Sequence, residues 1–185
     1  MTLEIDRAAA VRAALRALVA ERGFHGASMS AIAGAAGVAT GTAYTHYESK
    51  DALVLAAYAE TKARLAADAT ATLDDRLGPA ERFRAIWLAT YRHCAATPEH
   101  ARFLLQVDHS PYRARAHDAV AQDDPLVAQA SAPDLIAEVL PLPLDVLYEL
   151  GIAPAVRLAA SEAELSDAEL DTVASACWRA ISRPR

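Results

Sequence analysis

The sequence predicts an all-α fold, and three observations predict it. Of 185 residues, 46 are Ala and 21 are Leu, both strong helix formers. Glycine is limited to 7 residues and aromatics to 6%, and no run of Val, Ile, Thr or aromatic residues is long enough to build a sheet. Apolar residues instead recur three and four positions apart. A chain with 54% hydrophobic residues is too apolar for disorder, and this length suits one domain with an accessory module, or two small domains with a real core. Its two cysteines, 83 residues apart, exclude a disulfide scaffold and a CxxC zinc site. Arg7, Arg12 and Arg16 interrupt the start too soon for a signal peptide, and no segment approaches ~18 uninterrupted apolar residues. The compartment expected is the cytoplasm.

The elements follow in order. Asp6 is an N-cap and Gly23 a stop for a first helix over about 6–22, with Val11, Leu15, Leu18 and Val19 on its apolar face and Arg12, Arg16 and Arg22 off it. Ser28 caps a short second helix through Ala36, with Ile32 and Ala36 facing inward; Gly37 ends it and Val38 plugs the turn. Thr40–Tyr47 is a second short helix, so the pair forms a helix-turn-helix. Ser49 caps a long helix to about Leu73, with Leu53, Ala57, Leu65 and Ala69 in one stripe. Gly78-Pro79 breaks the chain before a helix carrying Phe83, Ile86, Trp87, Thr90, Tyr91 and Cys94 on one face. Thr97-Pro98-Glu99 restarts it, and Phe103, Leu104 and Val107 follow. Five prolines chop 109–143 into short pieces. One helix is then expected over about 144–160, kinked at Pro154, and a last one from Ser166, whose SDAE is a near capping box.

Within 28–53, Ile32-Ala33, Ala36-Gly37-Val38, Gly41-Thr42, Tyr44, His46-Tyr47, Lys50 and Leu53 stand in an order and spacing that resembles the TetR family of transcriptional regulators. Ala39 departs from that pattern, standing where many members carry a capping Ser, and Ala43 replaces a larger apolar residue. The resemblance implies an N-terminal three-helix helix-turn-helix DNA-binding domain over 1–48. A helical-bundle ligand-binding and dimerisation domain over 49–185 follows. A recognition helix needs small polar groups at its N-terminal end to reach base edges, and Thr40, Gly41 and Thr42 supply them. By resemblance Tyr44, His46 and Lys50 reach phosphates, and Thr45 reaches a base or a phosphate. Ser28 offers its hydroxyl and the following N–H groups to a phosphate. The partners implied are a palindromic operator in double-stranded DNA, a second copy of the chain and a small, mainly apolar effector. Repression is the family default, and neither a cofactor nor a metal is implied.

Candidates for the ligand pocket are Tyr58, Trp87, Tyr91, Cys94, Phe103, Leu104, Val107, Tyr112 and Leu147, an aromatic and apolar set, with His93, His109 and Arg113 as polar anchors. Candidates for the dimer interface lie on the closing helices: Leu144, Tyr148, Gly151, Ala155, Leu158, Leu170, Val173, Ala174, Cys177, Trp178 and Ile181. Pro98 and His100 are candidates for the joint that moves the helix after Lys50.

Overall charge is −6, which on totals alone argues against nucleic acid, but residues 1–50 carry five basic and four acidic groups, a net +1. No Arg or Lys lies between Phe24 and His46, so few phosphate contacts and modest affinity are expected. An enzyme is not expected. HExxH, GxSxG, P-loop and Rossmann patterns do not occur, and the contiguous Asp108-His109-Ser110 cannot build a relay. The competing reading is a helical small-molecule-binding or interaction module without DNA activity.

Overall fold

A computed structural model describes residues 6–71, 73, 74 and 76–184. Among them are twelve α-helices and no β-strand beyond one isolated antiparallel bridge, Val139 to Ser182. The described residues gather into two compact units. One comprises the chain up to Lys62 with Arg102–Val120, and the other Ala63–Ala101 with the chain from Ala121.

The first unit begins with α1, Arg7–Arg22. The Asp6 carboxylate accepts from Ala9 N at 3.1 Å, and Gly23, at φ +67°, closes the helix by donating to Val19 O. A 3-10 turn, Phe24–Gly26, leads to α2, Met29–Ala35, where the Ser28 hydroxyl accepts from Ala31 N. Gly37 takes φ +69°, which a side chain would resist, and α3 follows over Thr40–His46. Helix α4, Lys50–Thr70, starts at a Ser49 hydroxyl accepting from Ala52 N, and it ends short of the predicted Leu73. Val11, Leu15, Ile32, Leu53 and Ala57 are fully buried. Ala33, not Ala36, is buried beside Ile32, and Ala36 is half-buried. Arg16 corrects the predicted polar face of α1: it is 4% exposed.

Helices α5 (Pro79–Ala96) and α6 (Pro98–Asp108) follow, then α7 (Arg113–Asp118), α8 (Pro125–Ala130) and α9 (Pro133–Glu138). Pro125 and Pro133 each sit in a first turn, where the missing N–H costs nothing, so these prolines start helices as well as ending them. Helix α12, Asp167–Ile181, opens with the predicted capping box, Ser166 with Glu169.

The expected single helix over 144–160 is two helices, α10 (Leu144–Gly151) and α11 (Ala153–Ala160). Pro154 has no N–H for the Leu150 carbonyl and its ring crowds that carbonyl, so the chain restarts with Pro154 in the first turn of α11. In the second unit α11 and α12 both pack on α5, and α10 packs on α12. Trp87 is fully buried and donates from Nε1 to Gly151 O at 3.2 Å. A Cβ on Gly151 would lie 3.3 Å from Ile181 Cδ1 and 3.4 Å from Phe83 Cε2, so this glycine serves close packing within the subunit.

Candidate nucleic-acid interface

Helix α3 is seven residues long, and its burial pattern divides it cleanly. Ala43 is fully buried, and Tyr47, the next residue on that face, is 9% exposed. Thr40, Gly41, Thr45 and His46 face solvent, Thr42 is half-buried and Tyr44 is 51% exposed. A Cβ on Gly41 would meet nothing within 4 Å, so nothing inside the chain requires a glycine there. The small size of Ala43 suits its buried position against the preceding helices. The Thr45 hydroxyl donates to Gly41 O at 3.0 Å, one turn back on the same helix. Ser28 is exposed at the start of α2, where its hydroxyl also pairs with the Ser30 hydroxyl at 3.1 Å.

Lys50 is held by its own unit. Its ammonium donates to Phe24 O at 2.5 Å and lies 5.9 Å from the centre of the Phe24 ring, a cation–π arrangement. An ammonium has three N–H bonds, so this leaves donors for a phosphate.

The orientation of α3 depends on a cluster of charge that the periodicity does not reveal. Glu60 of α4 accepts from Arg12 Nε at 2.8 Å and from Arg16 Nη1 at 2.7 Å. Arg12 also donates to the Tyr47 hydroxyl at 2.5 Å, and that hydroxyl donates to Ala8 O at 3.2 Å. One acid thereby ties α1, the end of α3 and α4 together. Burial pushes the Glu60 carboxyl up, but hydrogen bonds from Arg12 and Arg16 outweigh it and hold it at about 2. The bond that Arg12 donates to Glu60 raises Arg12 in turn. Two like charges four apart on one helix repel unless an acid sits between them. That spacing is the one sequence signal for Glu60, and a separation of 44 residues from Arg16 hides it. Two of the basic groups behind the +1 of residues 1–50 are therefore engaged inside the unit by a single acid, which offsets one of their two charges.

The candidate pocket residues fall in both units. Tyr58, Phe103, Leu104, Val107 and Tyr112 belong to the first, where Tyr58 stacks on His117 with centroids 5.7 Å apart. Trp87, Tyr91, Cys94 and Leu147 belong to the second, where Trp87 and Tyr91 stack at 6.2 Å and Tyr91 donates to Ala163 O. All nine except Tyr112 and Leu147 are buried. An open groove of about 590 Å³ in the second unit is lined by other residues, among them Glu138, Leu140, Trp178 and Arg183.

Of the polar anchors, His109 is exposed, whereas the His93 side chain is 8% exposed. His93 Nδ1 meets Asp68 Oδ2 at 2.6 Å, while its Nε2 is buried without a hydrogen-bond partner, as is the hydroxyl of Thr90 one turn earlier.

The interface candidates also divide. Gly151, Ala155, Leu170, Ala174, Cys177 and Ile181 are buried within the subunit. Tyr148, Leu158, Val173 and Trp178 are half-buried and Leu144 is 54% exposed. Among the described residues no helix is long and apolar enough to cross a membrane, and no group of three or more His, Cys, Asp or Glu could hold a metal.

This geometry has matches among known proteins. Residues 11–57 match the family model for bacterial regulatory proteins of the tetR family, and residues 79–182 match that for a tetracyclin repressor-like C-terminal domain. No curated protein matches the chain. A TetR family transcription regulator from Marinobacter aquaeolei VT8 is 24% identical, with 96% of each chain covered and a TM-score of 0.77. A TetR-family transcriptional regulator from Haemophilus influenzae Rd is also 24% identical, covering 96% of this chain and 97% of its own, at a TM-score of 0.76. A putative TetR family regulator from Vibrio parahaemolyticus is 28% identical, covering 97% and 100%, at 0.71. Helix-turn-helix, helical second unit and family matches agree: the chain belongs to the TetR family of bacterial transcription regulators.

Proposed function

We propose that this regulator acts as a homodimeric repressor that binds a palindromic operator and is released by a small, mainly apolar ligand. The observation that carries the DNA reading is the division of α3, anchored by Ala43 and Tyr47 and open along Thr40, Gly41, Tyr44, Thr45 and His46. Thr40, Gly41 and Thr42 address base edges; Ser28, Tyr44, His46 and Lys50 address phosphates; Thr45 addresses a base or a phosphate. DNA contacts thus lie in residues 1–48 plus Lys50, with ligand and dimer functions in 49–185. A single short recognition helix gives little affinity, so two copies on two half-sites are required.

The dimer surface assigned here is the exposed part of the closing helices, around Leu144, Tyr148, Leu158, Val173 and Trp178. Val146, 39% exposed, and Leu150, 43% exposed, extend it. For the ligand, buried polar atoms without partners cost free energy unless something satisfies them. His93 Nε2 and the Thr90 hydroxyl are therefore the favoured anchors for one polar group on an otherwise apolar molecule. Such a ligand releases DNA by preferring a dimer form in which the recognition helices are misplaced. Helices α4 and α6 each contribute to both units and are the elements through which it acts, with Pro98 and His100 as the joint.

The test is a gel shift and footprint on the DNA flanking the coding region. A palindromic footprint supports the reading. Absence of binding at low salt favours the rival module without DNA activity, to which the engagement of Arg12 and Arg16 by Glu60 lends weight. A thermal-shift screen of apolar compounds on wild type and on His93→Phe then tests the anchor, because a bound ligand stabilises by mass action.

A further inference from the structure

The residues after α6 complete the DNA-binding unit. Resting on the reading of Lys50 as a phosphate contact, we infer that Tyr112 and Arg115 are positioning residues for that contact, acting through Phe24 and Asp51.

Lys50 takes its direction from Phe24, whose carbonyl accepts at 2.5 Å and whose ring lies beneath the ammonium. Phe24 sits in a single 3-10 turn closed by long bonds, Gly26 N to Gly23 O at 3.2 Å and Ala27 N to Phe24 O at 3.4 Å. Such a turn does not fix a side chain by itself. The Tyr112 ring does, packing on the Phe24 ring with centroids 4.9 Å apart and planes tilted by 45°. The Tyr112 hydroxyl then donates to Asp51 Oδ1 at 3.0 Å, and Arg115 Nη1 donates to Asp51 Oδ2 at 2.8 Å. Asp51 is the residue after Lys50, so the lysine is braced twice: at its side chain through Phe24, and at its backbone through Asp51. Both braces end on Tyr112. Tyr112 is itself fixed, because its N–H donates to the Ser110 hydroxyl at 3.1 Å and that hydroxyl donates to Val107 O at 2.8 Å.

The electrostatics agree with this geometry. Hydrogen bonds from Arg115 and then Tyr112 hold the Asp51 carboxyl below its ordinary range. Burial and then the bond to Asp51 push the Tyr112 phenol up, which keeps it a donor. Residues 102–120 fall in the same compact unit as the helix-turn-helix, although about 60 residues of chain separate Tyr112 from Asp51. All of these contacts lie within that unit.

The experiment measures affinity for a random-sequence duplex over a range of salt. The slope of log K against log salt falls by about 0.9 for each phosphate that the protein no longer neutralises. Lys50→Ala lowers it by that amount per subunit. Tyr112→Ala lowers it by a similar amount, Tyr112→Phe restores most of it because the ring remains, and the double variant Lys50→Ala/Tyr112→Ala goes no lower than Lys50→Ala. A purely structural tyrosine would change the folded fraction and leave the slope alone. A full slope in Tyr112→Ala beside a reduced one in Lys50→Ala overturns the inference only, whereas a full slope in Lys50→Ala overturns the phosphate reading of Lys50. If Tyr112→Ala does not fold, Arg115→Ala, at a side chain 57% exposed, and Phe24→Leu replace it. A wild-type slope in both then overturns the inference.

Discussion

The helix-turn-helix unit buries an ion-paired arginine and presents polar side chains on α3, while the second unit stacks Trp87 on Tyr91 in its core and leaves aliphatic side chains of α10 exposed. In the first, Arg16 is 4% exposed against Glu60, and the residues offered to a partner are threonines, a tyrosine and a histidine. In the second, Trp87 and Tyr91 stack within the core, whereas Leu144, Val146 and Leu150 of α10 stay exposed at 54%, 39% and 43%. A lone exposed leucine is ordinary; several on one eight-residue helix are why the proposed dimer contact is placed there. On the function proposed above, the two units would meet partners of opposite kind, a wet polyanion for one and another apolar protein face for the other.

The comparison breaks most easily at the aromatic core. Trp87→Ala removes a fully buried indole and its bond to Gly151 O, and the loss expected is about 3–5 kcal/mol. Urea unfolding followed by circular dichroism measures it. A loss below about 1 kcal/mol would mean that the second unit does not depend on this packing.

Charge inside the first unit gives the next effect. Glu60→Gln leaves Arg16 buried without its counter-charge and should cost about 2 kcal/mol, less than for a fully enclosed pair because the Glu60 side chain is 19% exposed. The pH dependence has a definite sign. The folded carboxyl sits at about 2 against an ordinary 4.5, so its contribution is complete above the higher value and is lost as pH falls toward the lower. Thermal melts of wild type should show that acid limb, and Glu60→Gln should flatten it. An identical limb in both proteins would sink the assignment.

The same two regions explain what is legible in the sequence. Asp6, Ser28, Ser49 and Ser166 announce helix starts, and Gly23 and Gly37 helix ends, because capping is local: a side chain accepts an N–H three residues on, or a glycine takes the positive φ that closes the helix. Buried stripes such as Phe83, Ile86, Trp87 and Cys94 are equally plain from their period. Arg16 defeats the periodicity because a charged residue beside an apolar stripe normally faces water; only Glu60, far along the chain, brings it in. The stop between α10 and α11 looks like a kink in the sequence because Pro154 announces a broken hydrogen bond but not how far the chain turns there. Gly151 and Ala155 resemble an open small-residue face, and which of two facing surfaces takes such a face depends on tertiary packing that spacing does not encode. The braces on Lys50 are illegible for the same reason: Phe24, Asp51, Tyr112 and Arg115 share no period and no motif.

The exposed aliphatics sharpen the contrast without touching the fold. Leu144→Glu with Leu150→Glu places two carboxylates at positions already exposed within the subunit, so subunit stability should change by less than about 0.5 kcal/mol per site. Sedimentation should nonetheless shift from dimer to monomer, because a charge buried without a partner is strongly unfavourable in an interface. A dimer that survives both substitutions would move the contact to another surface of the second unit.

The smallest stability effect is expected on α3. Tyr44 is 51% exposed, so Tyr44→Phe removes one hydroxyl and little packing, and the melting temperature should stay within experimental scatter. Operator affinity should fall at least about thirty-fold, since a hydrogen bond contributes about 1 kcal/mol or more, a bond to a charged phosphate more than a neutral one, and each dimer loses two. The loss should be similar on matched and scrambled operators if the hydroxyl meets a phosphate, because such contacts carry no sequence information. A loss confined to the matched operator would instead put Tyr44 on a base edge. The polar face would then read sequence from Thr40 as far as Tyr44, leaving Ser28, His46 and Lys50 to hold the backbone.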